Sequence, residues 1–130
     1  LNFPDSKYKE YLFRRALATG IIDWGDSMWI ITADEPSGNT KEIGFLWLEI
    51  KEDQYKDIKY CYIHYIHLVP EFREKGLGTY LMRFITEWAK QKSPYIKEIR
   101  LGTAFGNKQA VNFYKKNGFK IKRVLLEKKI

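Results

Sequence analysis

Cysteine is all but missing from this chain. Cys61 is the only one in 130 residues, so no intrachain disulfide can form. That fits a reducing compartment, and a cytoplasmic setting is expected. Long apolar runs are missing as well. None approaches the roughly 18 residues of a membrane span, and the start lacks the basic head and apolar stretch of a signal peptide. The chain opens at Leu1 rather than Met, as a processed or trimmed chain would. There is no internal repeat, low-complexity tract or long linker, so a single domain over residues 1–130 is expected. Histidine is scarce too, with only His64 and His67. Their odd spacing on a strand puts them on opposite faces, and Cys61 lies on the His67 face without further ligands. No metal site is expected.

What is present is charge and aromatic bulk. The net charge is +7 and aromatics make up 16% of the chain. Such a surface favours polyanions: nucleic acid, an anionic membrane or a phosphate-rich cofactor. Asp5-Ser6 can cap a helix from about Lys7 to Leu17, with Tyr8, Tyr11, Leu12 and Arg15 at helical spacing. Trp24–Ser27 reads as a loop. Strands follow at Met28–Ala33, Ile43–Lys51 and Lys59–Val69, with a turn at Glu35–Asn39, a polar connection at Asp53–Asp57 and a stop at Pro70. Then the period changes. Leu77, Leu81, Phe84, Ile85 and Trp88 form one stripe of an amphipathic helix closed by Ser93-Pro94. Glu98–Thr103 is a strand. Asn107 is a good N-cap for a helix ended by Asn117-Gly118, and Phe119–Leu126 alternates as a final strand. This order predicts an α/β or α+β sheet with helices packed on it.

The turn Arg73-Glu74-Lys75-Gly76-Leu77-Gly78-Thr79 lies where a strand ends and a helix begins. The first N–H groups of a helix have no intrahelical partner, and the helix dipole adds positive charge there. Glycine lets a ligand approach closely, so the turn is suited to a pyrophosphate. A P-loop needs G-x-x-x-x-G-K-[ST], which does not occur. A dinucleotide fingerprint needs a third glycine where Leu81 stands, and a βαβ opening where hairpin strands stand. What remains is R-x-x-G-x-G after a strand ending in Leu68-Val69-Pro70.

A second segment, Asn107 to Phe119, matches N-x-x-A-x-x-F-Y-x-x-x-G-F. With Leu68–Gly78 before it, the chain resembles the GNAT superfamily of N-acetyltransferases from roughly Trp29 to the C-terminus. The resemblance implies a mixed, mostly antiparallel twisted sheet with helices on both faces, splayed between the family's fourth and fifth strands. Its first strand would be absent or truncated here, since Leu1–Pro4 is too short to supply it. The chain after Gly118 has room for one long strand instead of the usual final pair.

The resemblance further implies acetyl-CoA as the cofactor. The backbone amides from Arg73 through Glu74, Lys75, Gly76, Leu77 and Gly78 to Thr79 would bind its pyrophosphate. Leu68 and Val69 would pair through their backbone with the pantetheine arm, as an added strand would. Arg73 and Lys75 would add charge, Asn107 would cap its helix or touch the pantetheine amide, and Lys116 can reach a CoA phosphate. Tyr114 would protonate the departing thiolate, since a tyrosine hydroxyl keeps its proton at neutral pH. For the base, two residues stay open. His64 shares a strand face with Tyr62, Ile66 and Leu68 unless a bulge intervenes, and His67 points the other way. Glu49 shares a face with Phe45 and Trp47, where burial would raise a carboxylate pKa.

The expected activity is direct transfer of an acetyl group to a primary amine, on a small molecule or a peptide, in a ternary complex. Two other readings stand beside it: an acyl-CoA-binding module without catalysis, and a basic RNA-binding domain stacking bases on Tyr60, Tyr62 and Tyr65. Against RNA, no RNA-motif signature is present and alternation divides these tyrosines between two faces. No membrane partner is expected, and a homodimer stays open.

Overall fold

A computed structural model describes residues 12–15, 27–34, 37–73, 76–104 and 106–130. Among these residues, five strands form one sheet in the order β1-β2-β3-β4-β5. They are β1 (Leu12–Arg15), β2 (Ser27–Asp34), β3 (Thr40–Asp53), β4 (Ile58–Leu68) and β5 (Ile96–Leu101). The first four pair antiparallel and β5 joins β4 in parallel. That parallel join needs a crossover, which α1 (Leu77–Lys92) supplies. A shorter helix, α2 (Lys108–Lys116), follows β5. The chain is therefore mixed α/β, as its order of periodicities predicts. No helix among the described residues is long and apolar enough to cross a membrane.

Helix α1 buries Leu77, Tyr80, Leu81, Met82, Ile85 and Ala89 on the sheet. These meet Trp29, Ile31 and Ala33 of β2, Leu46 and Leu48 of β3, and Cys61, Ile63 and Leu68 of β4 in two adjoining clusters. Leu81 and Ile85 are fully buried. Each such side chain stabilises the fold by about 2 kcal/mol relative to exposure. Phe113, Tyr114 and Phe119 pack against the second cluster, so α2 leans on the same side of the sheet.

Two expectations change. Leu12–Arg15, expected inside a helix running to Leu17, is a strand paired with Trp29–Thr32, and the rest of that helix lies outside the described residues. The spacing of Leu12 and Arg15 suits either form. The open edge of β2, with Ile30, Ile31 and Thr32, decides for a strand, because pairing overrides a weak local preference. The final strand expected at Phe119–Leu126 is not paired in the structure: residues 119–130 carry no regular element. Val124, Leu125 and Leu126 are exposed there. Alternation specifies a face, and only a ladder partner makes a strand.

Candidate active site

The parallel pairing of β4 with β5 runs from Lys59↔Ile96 to Ile63↔Leu101 and stops, while β4 continues to Leu68. The two strands part at Ile63. In the gap lies a cleft of about 240 Å³, lined by Ile63, His64, Tyr65 and Ile66 of β4, by Leu101, Gly102 and Thr103, and by Asn107, Ala110 and Tyr114 beside it. A second cavity of about 290 Å³ sits on the flank of α1, between Thr79, Arg83, Glu87 and Asn117. It is the larger, but the expected acid and base converge on the first, and the site is placed there.

His64 owes its position to a bulge. Trp47 pairs with Tyr65 and Leu48 with Ile63, so His64 is the extra residue on β4. The bulge resets the alternation. Ile66 and Leu68 turn to the α1 side with Ile63, while His64 stays on the Tyr62 side. The face expected for Tyr62, His64, Ile66 and Leu68 together is thus split. Tyr65 crosses to the His64 side, in ring contact with Phe45 and His67. The division of Tyr60, Tyr62 and Tyr65 between two faces does not hold either. Two of these rings carry a cation, Arg100 at 4.1 Å over Tyr60 and Lys51 at 4.9 Å over Tyr62, while Tyr65 is exposed.

The structure joins the two candidate bases. His64 Nε2 is 2.6 Å from Glu49 Oε1, and both side chains are largely buried. The Trp47 ring stacks on the imidazole at 4.3 Å, and the Tyr62 ring meets it edge-on at 4.9 Å. Lys51 Nζ approaches the same Glu49 oxygen at 3.8 Å. A carboxylate on Nε2 favours the tautomer with its proton there, which leaves Nδ1 as the basic nitrogen. Tyr62 keeps the strand face it was expected to share with His64, whereas Trp47 beside His64 and Lys51 beside Glu49 were not foreseen in this setting, because cross-strand register brings β3 against His64.

Tyr114 reaches the same cleft from α2. Burial pushes its hydroxyl above the ordinary tyrosine range, so it keeps its proton at neutral pH. Its ring stands edge-on to Phe113 at 5.2 Å and to Phe119 at 5.4 Å. The end of α2 fixes it further. Gly118, at φ 92°, lets the chain turn back, so that Gly118 N–H donates to the Lys115 carbonyl and Phe119 N–H to the Tyr114 carbonyl. This is a Schellman cap with its usual apolar contact. Asn107 caps the other end, its Oδ1 accepting from Ala110 N–H at 3.2 Å. Asn107, Ala110 and Tyr114 share one helix face at spacings of three and four, a signal that could have named Ala110 from sequence.

The turn after β4 is a short 3-10 segment, Pro70–Phe72, and Glu74 and Lys75 lie outside the described residues. Gly76 is the N-cap of α1 and offers no side-chain cap. The first helical bond runs from Tyr80 N–H to the Gly76 carbonyl. The amides of Leu77, Gly78 and Thr79 therefore have no partner within the helix, which is the chemistry of an anion site. Arg73 is a tether as well as a charge: its Nε donates to the Leu68 carbonyl at 2.8 Å. Val69 N–H donates to the Ile43 carbonyl at 2.8 Å, so Val69 is directed into the sheet instead of away from it. Along an antiparallel ladder the backbone groups alternate sides, and those of Ile66 and Leu68 face away from β3. Lys116 is exposed in the last turn of α2 and makes no ion pair among the described residues.

A family model described as the Acetyltransferase (GNAT) family matches residues 2–119. An uncharacterized N-acetyltransferase of Methanocaldococcus jannaschii is 33% identical in an alignment of 107 positions that covers 75% of this chain. The match spans 45% of that relative's length. Among solved structures, a proposed acetyl transferase from Pyrococcus furiosus is similar with a TM-score of 0.69 and 28% identity, over 85% of this chain and 70% of that one. AAC(6')-Iy, in complex with the bisubstrate analog CoA-S-monomethyl-acetylneamine, superposes with a TM-score of 0.69 over 93% of this chain and 99% of its own. At 18% identity that likeness speaks for the fold alone.

Proposed function

This chain belongs to the acetyltransferase (GNAT) family, and from that premise we propose that it is an acetyl-CoA-dependent N-acetyltransferase acting on a primary amine by direct attack in a ternary complex. One observation carries the reading: His64 and Tyr114, from a bulged strand and a capped helix, line the same cleft where β4 and β5 part. A base and an acid facing one gap are what transfer from a thioester to an amine requires.

The residues present suit the cofactor. The unpartnered amides at the start of α1 would hold its phosphates, with the charge of Arg73 just before them in the chain. The outward N–H of Leu68, whose carbonyl Arg73 holds, and the outward backbone groups of Ile66, where Val69 was expected, would line its pantetheine arm. When bound, acetyl-CoA supplies an activated acyl group as its thioester. His64 Nδ1 takes the proton that the incoming amine loses, directly or through water. Glu49 holds the imidazole by Nε2 and stabilises the charge it gains. Tyr114 gives its hydroxyl proton to the leaving sulfur. Holding the reacting groups together supplies much of the acceleration.

Release of free thiol from acetyl-CoA across a panel of polyamines, aminoglycosides, amino acids and peptide N-termini tests this. His64→Ala and Tyr114→Phe are each expected to lower kcat about 100–10,000-fold, and Glu49→Gln to lower it as well, with little change in acetyl-CoA affinity. Binding without thiol release for any amine would leave an acyl-CoA-binding module. Normal turnover by Tyr114→Phe with chemistry limiting would remove its acid role.

A further inference from the structure

We propose that Gly78 and Phe113 together are positioning residues for Tyr114, so that the second glycine of the turn after β4 seats α2 and is not there to admit a phosphate. The proposal rests on Tyr114 as proton donor, as read above. A Cβ added at Gly78 would lie 2.9 Å from both Cε1 and Cζ of Phe113. Ordinary contact would require the ring to retreat by about half an ångström or more. A Cβ at Gly76 would meet nothing within 4 Å. Of the two glycines, Gly76 therefore opens onto free space, and the bare Cα of Gly78 faces a helix.

Phe113 has little freedom to yield. It packs on the core cluster beneath it and stands edge-on to Tyr114, the next residue in the chain. Tyr114 in turn is held by the Phe119 ring and by the bond from Phe119 N–H to its own carbonyl. A push on Phe113 thus passes to the helix backbone and displaces the tyrosine hydroxyl in the cleft. The amide of Gly78 is unaffected by this argument and stays available to an anion; what the missing side chain serves is the contact with Phe113.

Two quantities separate the roles: kcat at saturating substrates, and the acetyl-CoA dissociation constant from tryptophan fluorescence. Gly78→Ala is expected to lower kcat about 10–100-fold, the scale of a small misplacement of a reacting group, and to leave acetyl-CoA affinity in place. Adding Phe113→Leu to the same chain makes room for the new methyl and should restore most of the turnover. Phe113→Trp, which enlarges the ring against the native glycine, should show the same kcat-only loss even if Gly78→Ala fails to fold. Weakened acetyl-CoA binding at unchanged kcat would overturn the proposal, and so would a kcat loss that Phe113→Leu does not repair. Tyr114→Phe, measured alongside, reports on the acid reading itself. If it turns over normally, that reading fails whatever the Gly78 chains do, and the positioning proposal falls with it.

Discussion

Asp53 sits at the last rung of β3, and its side chain is 5% exposed. Its Oδ1 accepts from Tyr55 N–H and Lys56 N–H, closing the turn into β4, and its Oδ2 accepts from Arg100 Nη2 at 2.7 Å. The Arg100 hydrogen bond is the main reason its carboxyl is held below the usual carboxylate range. A carboxylate whose pKa is lowered by folding adds stability above its unfolded value, near pH 4, and loses it as pH falls through the folded value. Denaturation at about pH 7 and about pH 3 should therefore show a smaller acid loss for Asp53→Asn than for the native chain. Part of the loss should persist, since Glu98 is lowered through Arg100 as well. An equal acid loss in both chains would refute the assignment. Cys61 is inert for a related reason: burial pushes its thiol up to about 12, which keeps it protonated at neutral pH. Of the candidate residues, Asn107, Tyr114 and Gly118 were legible because helix spacing and cap chemistry are local. The meeting of His64 with Glu49 was legible only as two candidates, because a bulge depends on the partner strand.

Helix α2 has nine residues and none of them is fully buried. Its caps therefore matter more than its packing. Gly118 lies in the left-handed region at φ 92°, and a Cβ there would meet nothing within 4 Å. The cost of Gly118→Ala is then conformational alone, about 1–2 kcal/mol. A thermal melt should show a lower Tm, and kcat should fall too, because the Phe119–Tyr114 bond depends on that turn. An unchanged melt would show that α2 ends differently in solution. At this scale the sequence marked α1, α2 and β2–β5 through their periods and breakers. It misled at Leu12–Arg15 and after Phe119, where the same pattern serves two outcomes and a neighbouring edge decides.

Across the whole molecule, the sheet is fastened at one end and open at the other. Asp53, Arg100 and Glu98 tie the β3–β4 turn to β5, and Arg123 of the final segment lies 4.0 Å from Asp53. At the other end β4 and β5 diverge beyond Ile63. Composition bounded the size and charge, and the two motifs gave the family. The divergence itself is a property of register, which no single segment encodes. That open end has a consequence for proton exchange with solvent. The amides of Ile66 and Leu68 face away from β3, so their exchange is governed by whatever lies along that side of β4. Deuterium uptake at these two positions should slow when acetyl-CoA is added, while Val69, bonded to Ile43, should hardly change. Equal behaviour at all three would place the cofactor elsewhere. A splayed pair of strands is in this sense its own occupancy gauge, readable amide by amide before any acceptor is known.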